Sequence, residues 1–144
     1  MRIPLTVAAL VALGVVAGCS SPPPATSQPG TLVIGTAAVT VNDVDAGSTD
    51  AVACSAAGPL TTITTGDAKS GVTALVSNKG ELTAESVTIR NLGGFTGSYN
   101  AGLGGKANVT MTGRTYAITG TAEGFATDKP SFRANGTFAI KVAC

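Results

Sequence analysis

Histidine is absent from this sequence of 144 residues. It is the usual general base at neutral pH, the middle member of the Ser-His-Asp relay and the commonest metal ligand. Serine–lysine chemistry is missing too, because no serine is followed by lysine at the S-x-x-K spacing of penicillin-binding enzymes. We therefore expect a protein that is not an enzyme and that uses neither a metal nor another cofactor.

Aromatic residues are scarce, with four Phe, two Tyr and no Trp. Buried apolar area must then come from Val, Ile and Leu packed against small residues, which predicts a thin core. Two interpretations of the larger rings stay open: they belong to the core, which their scarcity favours, or they line an apolar pocket. The residues concerned are Phe95, Tyr99, Phe125 and Phe132.

Neither sign of charge dominates the chain. It has nine Lys and Arg against eight Asp and Glu, and Arg2 lies within residues 1–18, so the remainder carries eight of each sign. Nucleic-acid binding depends on several Lys or Arg that neutralise phosphates. The balance therefore predicts no nucleic-acid partner and no electrostatic adsorption to a membrane.

The sequence has one long apolar run, from Leu5 to Ala17, and this run is shorter than the roughly 20 residues of a membrane-spanning helix. Met1 and Arg2 provide a basic start before it. A short basic region, an apolar region and small residues at the cleavage point are typical of a secretory signal. We predict that residues 1–18 are a signal peptide.

The segment Val16-Ala17-Gly18-Cys19 resembles the lipobox of bacterial lipoproteins. Small residues let the chain lie extended in a peptidase cleft, and the thiol can form a stable thioether to diacylglycerol. Two acyl chains, such as palmitate, suffice for stable anchoring. We predict lipidation at Cys19 and a lipid anchor at the extracytoplasmic face of the cell membrane. The alternative is an ordinary secretory signal with a chance cysteine.

Residues 19–30 combine this lipidated N-terminus with a tether. They are rich in Pro, Ser and Thr and lack apolar residues that could pack in a core. Extended polyproline geometry rises about 3.1 Å per residue, so the tether would span roughly 30 Å. Residues 31–144 follow as a single β-rich extracytoplasmic domain, which we expect to be a monomer.

Three cysteines in an exported protein leave one unpaired. If Cys19 is acylated, Cys54 and Cys144 remain, and two thiols outside the cytoplasm usually form a disulfide. Cys144 shares the parity of the apolar residues before it, and Cys54 shares that of Val52, so both sulfurs are expected to face the core. A zinc site is the weaker alternative, because no histidine completes the ligand set.

From Thr31 onward, short segments rich in Val, Ile, Thr and aromatics alternate with Gly, Asn and Asp, which is typical of antiparallel β proteins. The pair flanking Gly113-Arg114 predicts a hairpin. We expect an all-β fold, a small antiparallel β-sandwich, with one short helix allowed at Asp67 to Ser77 or Glu81 to Val87; an α+β sheet is the alternative. The candidate strands are Leu32 to Ile34, Ala38 to Val41, Ala51 to Cys54, Leu60 to Thr64, Val72 to Val76, Ser86 to Arg90, Ala107 to Thr112, Thr115 to Thr121 and Thr137 to Cys144.

Other polar motifs are incomplete. Gly104-Gly105-Lys106 lacks the remaining residues of a phosphate loop, and this stretch and Gly93-Gly94-Phe95 are predicted to be mobile loops or tight turns. The aspartates from Asp43 to Asp50 form no EF-hand, since the position that needs Glu is Cys54. Glu81, Glu85 and Glu123 have no geometry that the sequence reveals.

The residues resemble the mycobacterial lipoprotein antigen family typified by LpqH, with relatives of the LppE kind. The resemblance covers nearly the whole chain and includes the start Val16 to Ser21, the cysteine at Cys54, the segment Tyr116 to Gly124 and the ending Ser131 to Cys144. It implies a cell-envelope protein, surface-exposed or shed, with a structural or interaction role, whose lipid engages host Toll-like receptor 2. The alternative function is a module that carries an envelope lipid or another hydrophobic ligand.

Overall fold

A computed structural model describes Gly18 and residues 28–144. Across that part of the chain the fold consists of ten β-strands, turns and loops, without a helix. Accordingly, none of the described residues forms a helix long and apolar enough to cross a bilayer. The strands are β1 (Ala37–Val41), β2 (Val44–Thr49), β3 (Val52–Ala57), β4 (Leu60–Gly66), β5 (Gly71–Ser77), β6 (Thr83–Leu92), β7 (Phe95–Asn100), β8 (Ala107–Thr112), β9 (Thr115–Ala126) and β10 (Ala134–Ala143).

The all-β expectation is confirmed, and the short helix allowed at Asp67 to Ser77 or Glu81 to Val87 is wrong. Gly71–Ser77 forms β5, which is largely buried on both faces, and Thr83–Leu92 forms β6. A strand buried on both faces shows no alternation of apolar and polar residues, so its sequence is also compatible with a buried helix. Pairing with the neighbouring strands decides the outcome here.

The predicted hairpin around Gly113 is confirmed. Ala107–Thr112 pairs antiparallel with the start of β9, with Thr112 opposite Thr115. Gly113 has a φ of +58°, a left-handed conformation that glycine adopts without steric cost and that suits a two-residue hairpin turn.

Strand β9 joins the two layers of the sandwich. Its first half, Thr115 to Gly120, pairs with β8, its second half, Glu123 to Ala126, pairs with β7, and β10 runs along its other edge. The ten strands form one continuous sheet in the order β2-β1-β10-β9-β7-β6-β5-β4-β3, with β8 also paired to β9. We call β2-β1-β10-β9-β8 and β7-β6-β5-β4-β3 its two layers. A strand that pairs with both layers is a common way to form the corner of a sandwich.

The core lies between these layers and is built mainly from branched aliphatic residues. Ile63 and Ile89 come from one layer, Ile118 and Ile140 come from the other, and all four side chains are fully buried. Their contacts fill the centre of the domain, as close packing of protein interiors requires. The expectation of a core of Val, Ile and Leu packed against small residues is therefore confirmed for Val and Ile in the described domain, whereas Leu82 and Leu92 are only partly buried against that core.

Three segments differ from the predicted strands. Leu32 to Ile34 forms no strand and instead precedes a turn. Val44–Thr49 forms β2, an exposed edge strand whose Asp, Gly and Ser content is typical of a turn. Phe95–Asn100 forms β7, although Gly93-Gly94-Phe95 had favoured a loop. Only the two glycines are in the turn.

Candidate functional site

The leading segment, residues 28–36, docks on one end of the sandwich. The backbone N–H of Leu32 donates to Oγ1 of buried Thr115 at 3.0 Å, and the N–H of Gly35 donates to the carbonyl oxygen of Ala143 at 2.9 Å. Thr115 begins β9 and Ala143 ends β10, so the chain joins the domain at the end that holds the β8–β9 turn. Cys19, the predicted lipidation site, lies outside the described residues.

Cys54 and Cys144 form the predicted disulfide, with Cα atoms 6.0 Å apart. Cys54 lies on β3 in one layer, and Cys144 follows β10 in the other. Cys54 lies on the core face of β3, directly opposite buried Ile63, but it is exposed because β3 is the edge strand of its layer. Cys144 is partly buried against the core. The bridge therefore joins the two layers at an open edge.

A groove with a volume of about 480 Å³ lies on the outer face of β7, β9 and β10. Its floor is a row of three polar residues on adjacent strands, because Glu123 is directly opposite Ser98 on one side and Asn135 on the other. Side chains directly opposite each other have Cβ atoms about 5 Å apart. The register thus brings together a hydroxyl, a carboxylate and a carboxamide that are distant in sequence.

Two loops form the walls of this groove. The β7–β8 loop contributes Leu103, and the β9–β10 loop contributes Phe132, whose side chains are 79% and 72% exposed. Phe125, two residues beyond Glu123 on β9, lies on the same face and also lines the groove. The groove therefore combines a polar floor with apolar walls.

Gly104 in the β7–β8 loop leaves the carboxylate of Glu123 uncovered. A Cβ atom at Gly104 would lie 3.7 Å from Oε1 of Glu123, at ordinary contact distance, and a longer side chain would extend into the groove. The backbone of Gly104 has a φ of +112°, a conformation that glycine alone adopts readily. A glycine at position 104 thus permits the backbone conformation of the loop and keeps the carboxylate of Glu123 accessible from the groove.

The polar groups of the floor have unused hydrogen-bonding capacity. Among the hydrogen bonds of residues 28–144, none uses the side chains of Ser98, Glu123 or Asn135. Arg133 also lines the groove, so its one positive charge offsets the one negative charge of Glu123. The site as a whole is therefore close to neutral and has both donors and acceptors.

The groove and the docked leading segment lie at opposite ends of β9. Thr115 receives the hydrogen bond from Leu32 at the start of this strand, and Glu123 follows eight residues later. At a rise of about 3.4 Å per residue, the two positions are roughly 27 Å apart. The groove thus opens at the end of the domain distant from the segment that leads back toward Cys19.

The aromatic residues divide between the two interpretations. Phe95 belongs to the core, as the scarcity of rings favours, whereas Phe125 and Phe132 line the groove. This lining is part apolar and part polar, so it differs from the purely apolar pocket that the sequence suggested. The lipid-carrier alternative stays a prediction.

Sequence reasoning did not identify the groove. Glu123 had no deducible geometry, and Ser98 and Asn135 had no assigned role, because only the register of three strands brings them together. The loop predicted around Gly104 is present and supplies one wall. Among residues 28–144, no group of three His, Cys, Asp or Glu side chains is placed to hold a metal ion.

The chain is similar to known mycobacterial proteins over most of its length. Over 120 residues it is 42% identical to a lipoprotein-type protein of Mycobacterium indicus pranii, covering 83% of this chain and 86% of that one. It is 34% identical to the lipoprotein LpqH of Mycobacterium tuberculosis over 107 residues, covering 74% of this chain and 67% of LpqH. The model of the Mycobacterium 19 kDa lipoprotein antigen family matches residues 30–144, and the chain belongs to that family.

Proposed function

We propose that this protein is an acyl-anchored lipoprotein of the cell envelope, a monomer that holds its β-sandwich on the extracytoplasmic side of the membrane for an interaction role. Family membership supports the lipoprotein class. In this proposal, residues 1–18 are removed, Cys19 carries the acyl chains, and residues 19–30 form the tether to the domain.

One observation supports the orientation that we propose for the domain. The leading segment docks at the β8–β9 end, where the N–H of Leu32 binds Oγ1 of Thr115. Val33 and Ile34 in this segment are 73% and 60% exposed, so the end closest to the tether presents two neighbouring apolar side chains. Such residues suit an end that faces a membrane surface, whereas the groove at the other end faces away from it.

The acylated Cys19 is also the part through which we expect the protein to engage host Toll-like receptor 2. The resemblance to the LpqH-type antigens motivates this proposal. The folded domain would then display its own surface independently, since the tether separates it from the lipid.

The test compares the wild type with Cys19→Ala after expression in a mycobacterial host. We expect the wild type to enter the detergent phase, to have the intact mass of a diacylated or triacylated protein, and to activate cells that report on Toll-like receptor 2. Cys19→Ala should lose all three properties. The matched control is Cys54→Ala with Cys144→Ala, which removes two cysteines and should keep the acyl chains.

The proposal is wrong if the wild type has a free thiol at Cys19 or if Cys19→Ala still enters the detergent phase. A receptor response that Cys19→Ala retains would contradict only the role of the lipid in signalling. Native mass spectrometry of the same protein would test the lipid-carrier alternative, because a carrier should retain a hydrophobic ligand apart from its covalent acyl chains.

A further inference from the structure

We infer that the groove over β7, β9 and β10 is a binding site for a neutral saccharide. Its volume of about 480 Å³ is within the range of roughly 300–1,000 Å³ typical of small-molecule sites. This inference goes beyond the proposed function, because it concerns the folded domain and does not depend on the acylation of Cys19.

The floor of the groove matches the hydroxyl groups of a sugar. A sugar hydroxyl both donates and accepts hydrogen bonds, and neighbouring hydroxyls are spaced to contact two acceptors or donors at once. The carboxylate of Glu123 accepts, the carboxamide of Asn135 does both, and the hydroxyl of Ser98 does both. Because these three side chains form one row across adjacent strands, a chain of hydroxyls can contact them together.

The walls of the groove match the C–H faces of a pyranose or furanose ring. Phe132 and Leu103 are among the most exposed large apolar residues of the described chain, and both line this groove. An aromatic ring can stack on the apolar face of a sugar while the floor binds its polar edge. One ligand class thus uses both the exposed apolar side chains and the unpaired polar ones.

Charge disfavours an anionic ligand. The groove has one guanidinium, from Arg133, and the carboxylate of Glu123 balances it. Among residues 28–144, no lysine lines the groove and no helix is present whose N-terminus could bind a phosphate. A phosphate would therefore meet about as much repulsion as attraction.

Strand pairing leaves an extended peptide little room. Along the floor, β7 lies between β6 and β9, and β9 lies between β7 and β10. β1 pairs with β10 only from Phe138 to Val142, so among the described residues the edge of β10 from Ala134 to Gly136 has no strand partner. A peptide could add to the sheet only along these three residues, which is shorter than the usual strand of about five or six residues.

The experiment uses the mature full-length protein in micelles of a detergent without a sugar headgroup, such as lauryldimethylamine oxide. Saturation-transfer NMR would be recorded with the methyl glycosides of glucose, galactose, mannose and arabinose and with disaccharides of the same sugars. We expect transfer from at least one neutral sugar, with a monosaccharide dissociation constant on the order of 1 mM. Inorganic phosphate, glucuronate and an uncharged octapeptide serve as comparison ligands.

Variants with matched controls assign the binding to the groove. Glu123→Gln and Phe132→Ser should each raise the dissociation constant of the sugar by about tenfold or more. The first variant loses a charged hydrogen-bond acceptor, and the second loses a stacking face. The controls Glu81→Gln and Val33→Ser change the same or similar exposed residue types outside the groove and should leave the affinity unchanged. Thermal melts confirm that all four variants are folded.

Three results would overturn the inference. The first is the absence of transfer from every neutral sugar, and the second is an equal affinity in the groove variants and their controls. The third is preferential binding of phosphate, glucuronate or the peptide that depends on Glu123 or Phe132, which would assign the groove to another ligand class. Sugar binding does not depend on acylation at Cys19. An unacylated protein that still binds sugar would therefore contradict the proposed function and leave this inference intact.

Discussion

The ring of Phe95 occupies the space where a side chain on Gly136 would lie. A Cβ atom at Gly136 would be 2.8 Å from Cζ of Phe95, and Phe95 is only 2% exposed. Gly97 has the same relationship to this ring, with a separation of 2.6 Å. The ring thus covers one glycine on β7 and one on β10, on the inner face of strands whose outer face contributes to the groove.

Gly136→Ala should therefore destabilise the domain by about 1–3 kcal/mol, the usual cost of overpacking a core. Chemical denaturation of the wild type and variant measures the difference. Phe95→Leu should make room for the new methyl group, so the double variant should lose less stability than the sum of the two single variants. Additive losses would show that the ring is not the cause.

The disulfide should contribute a large share of the stability. It closes a loop with a sequence separation of 90 residues, for which chain entropy gives roughly 4 to 5 kcal/mol. Reduction, or Cys54→Ser with Cys144→Ser, should lower the melting temperature substantially. The oxidised wild type provides the comparison, with alkylation before and after reduction to count free thiols. An unchanged melting curve with two thiols reactive before reduction would contradict this prediction.

Acidification should remove the stabilisation that Asp67 provides in the β4–β5 turn. Its Oδ1 accepts the backbone N–H of Ser70 and of Lys69, at 2.9 and 2.8 Å, and these bonds together with the charge of Arg90 hold the pKa of Asp67 below its usual value. A carboxyl with a lowered folded-state pKa stabilises the fold above its unfolded pKa and ceases to do so as the pH falls through the folded one.

Asp67→Ala should accordingly lower the melting temperature at neutral pH, and the gap to the wild type should narrow below about pH 4. Asp67→Asn keeps an acceptor oxygen without the charge, so its melting temperature at neutral pH should lie between those of the wild type and Asp67→Ala. Thermal melts of the three proteins across the acid range measure the effect. If the difference in melting temperature between the wild type and Asp67→Ala stayed constant with pH, the ionised carboxylate would not be its source.

Docking of the leading segment should depend on the buried hydroxyl of Thr115. Thr115→Val keeps the shape of the side chain but leaves the N–H of Leu32 without its acceptor, which should cost about 1 kcal/mol. Hydrogen exchange at Leu32 and Gly35 should become faster, while exchange in β5 stays slow. Thr119→Val on the exposed face of β9 is the matched control. Equal exchange in the two variants would contradict the role of Thr115.

Alternation and turn chemistry were sufficient to predict the strands late in the chain. Ala107–Thr112 matches its prediction, because Val109 and Met111 alternate with polar residues and Gly113 supplies the turn. The strand Val44–Thr49 was not predicted, because an exposed edge strand has no buried face and therefore needs no alternation of apolar and polar residues. The strand Phe95–Asn100 was not predicted because Gly97 interrupts its alternation of apolar and polar residues. A side chain at Gly97 would collide with the ring of Phe95.

The groove could not be predicted for a different reason. Ser98, Glu123 and Asn135 are individually ordinary exposed residues, and their proximity depends on which strands are neighbours and in what register. The disulfide was easier to predict, because two thiols remain once Cys19 is assigned to the lipid. The exposure of Cys54 was missed, since parity shows which face a residue lies on but not that its strand is at an edge.

The antiparallel pairing of β9 with β10 has a mechanical consequence. These strands run side by side from the docked leading segment to the groove, with register maintained from Ala143 opposite Thr115 to Ala134 opposite Gly124. A tensile force between the two ends acts along the strands, so the hydrogen bonds of this ladder bear it in parallel rather than rupturing one after another. The Cys54–Cys144 bridge transfers part of the load to the second layer.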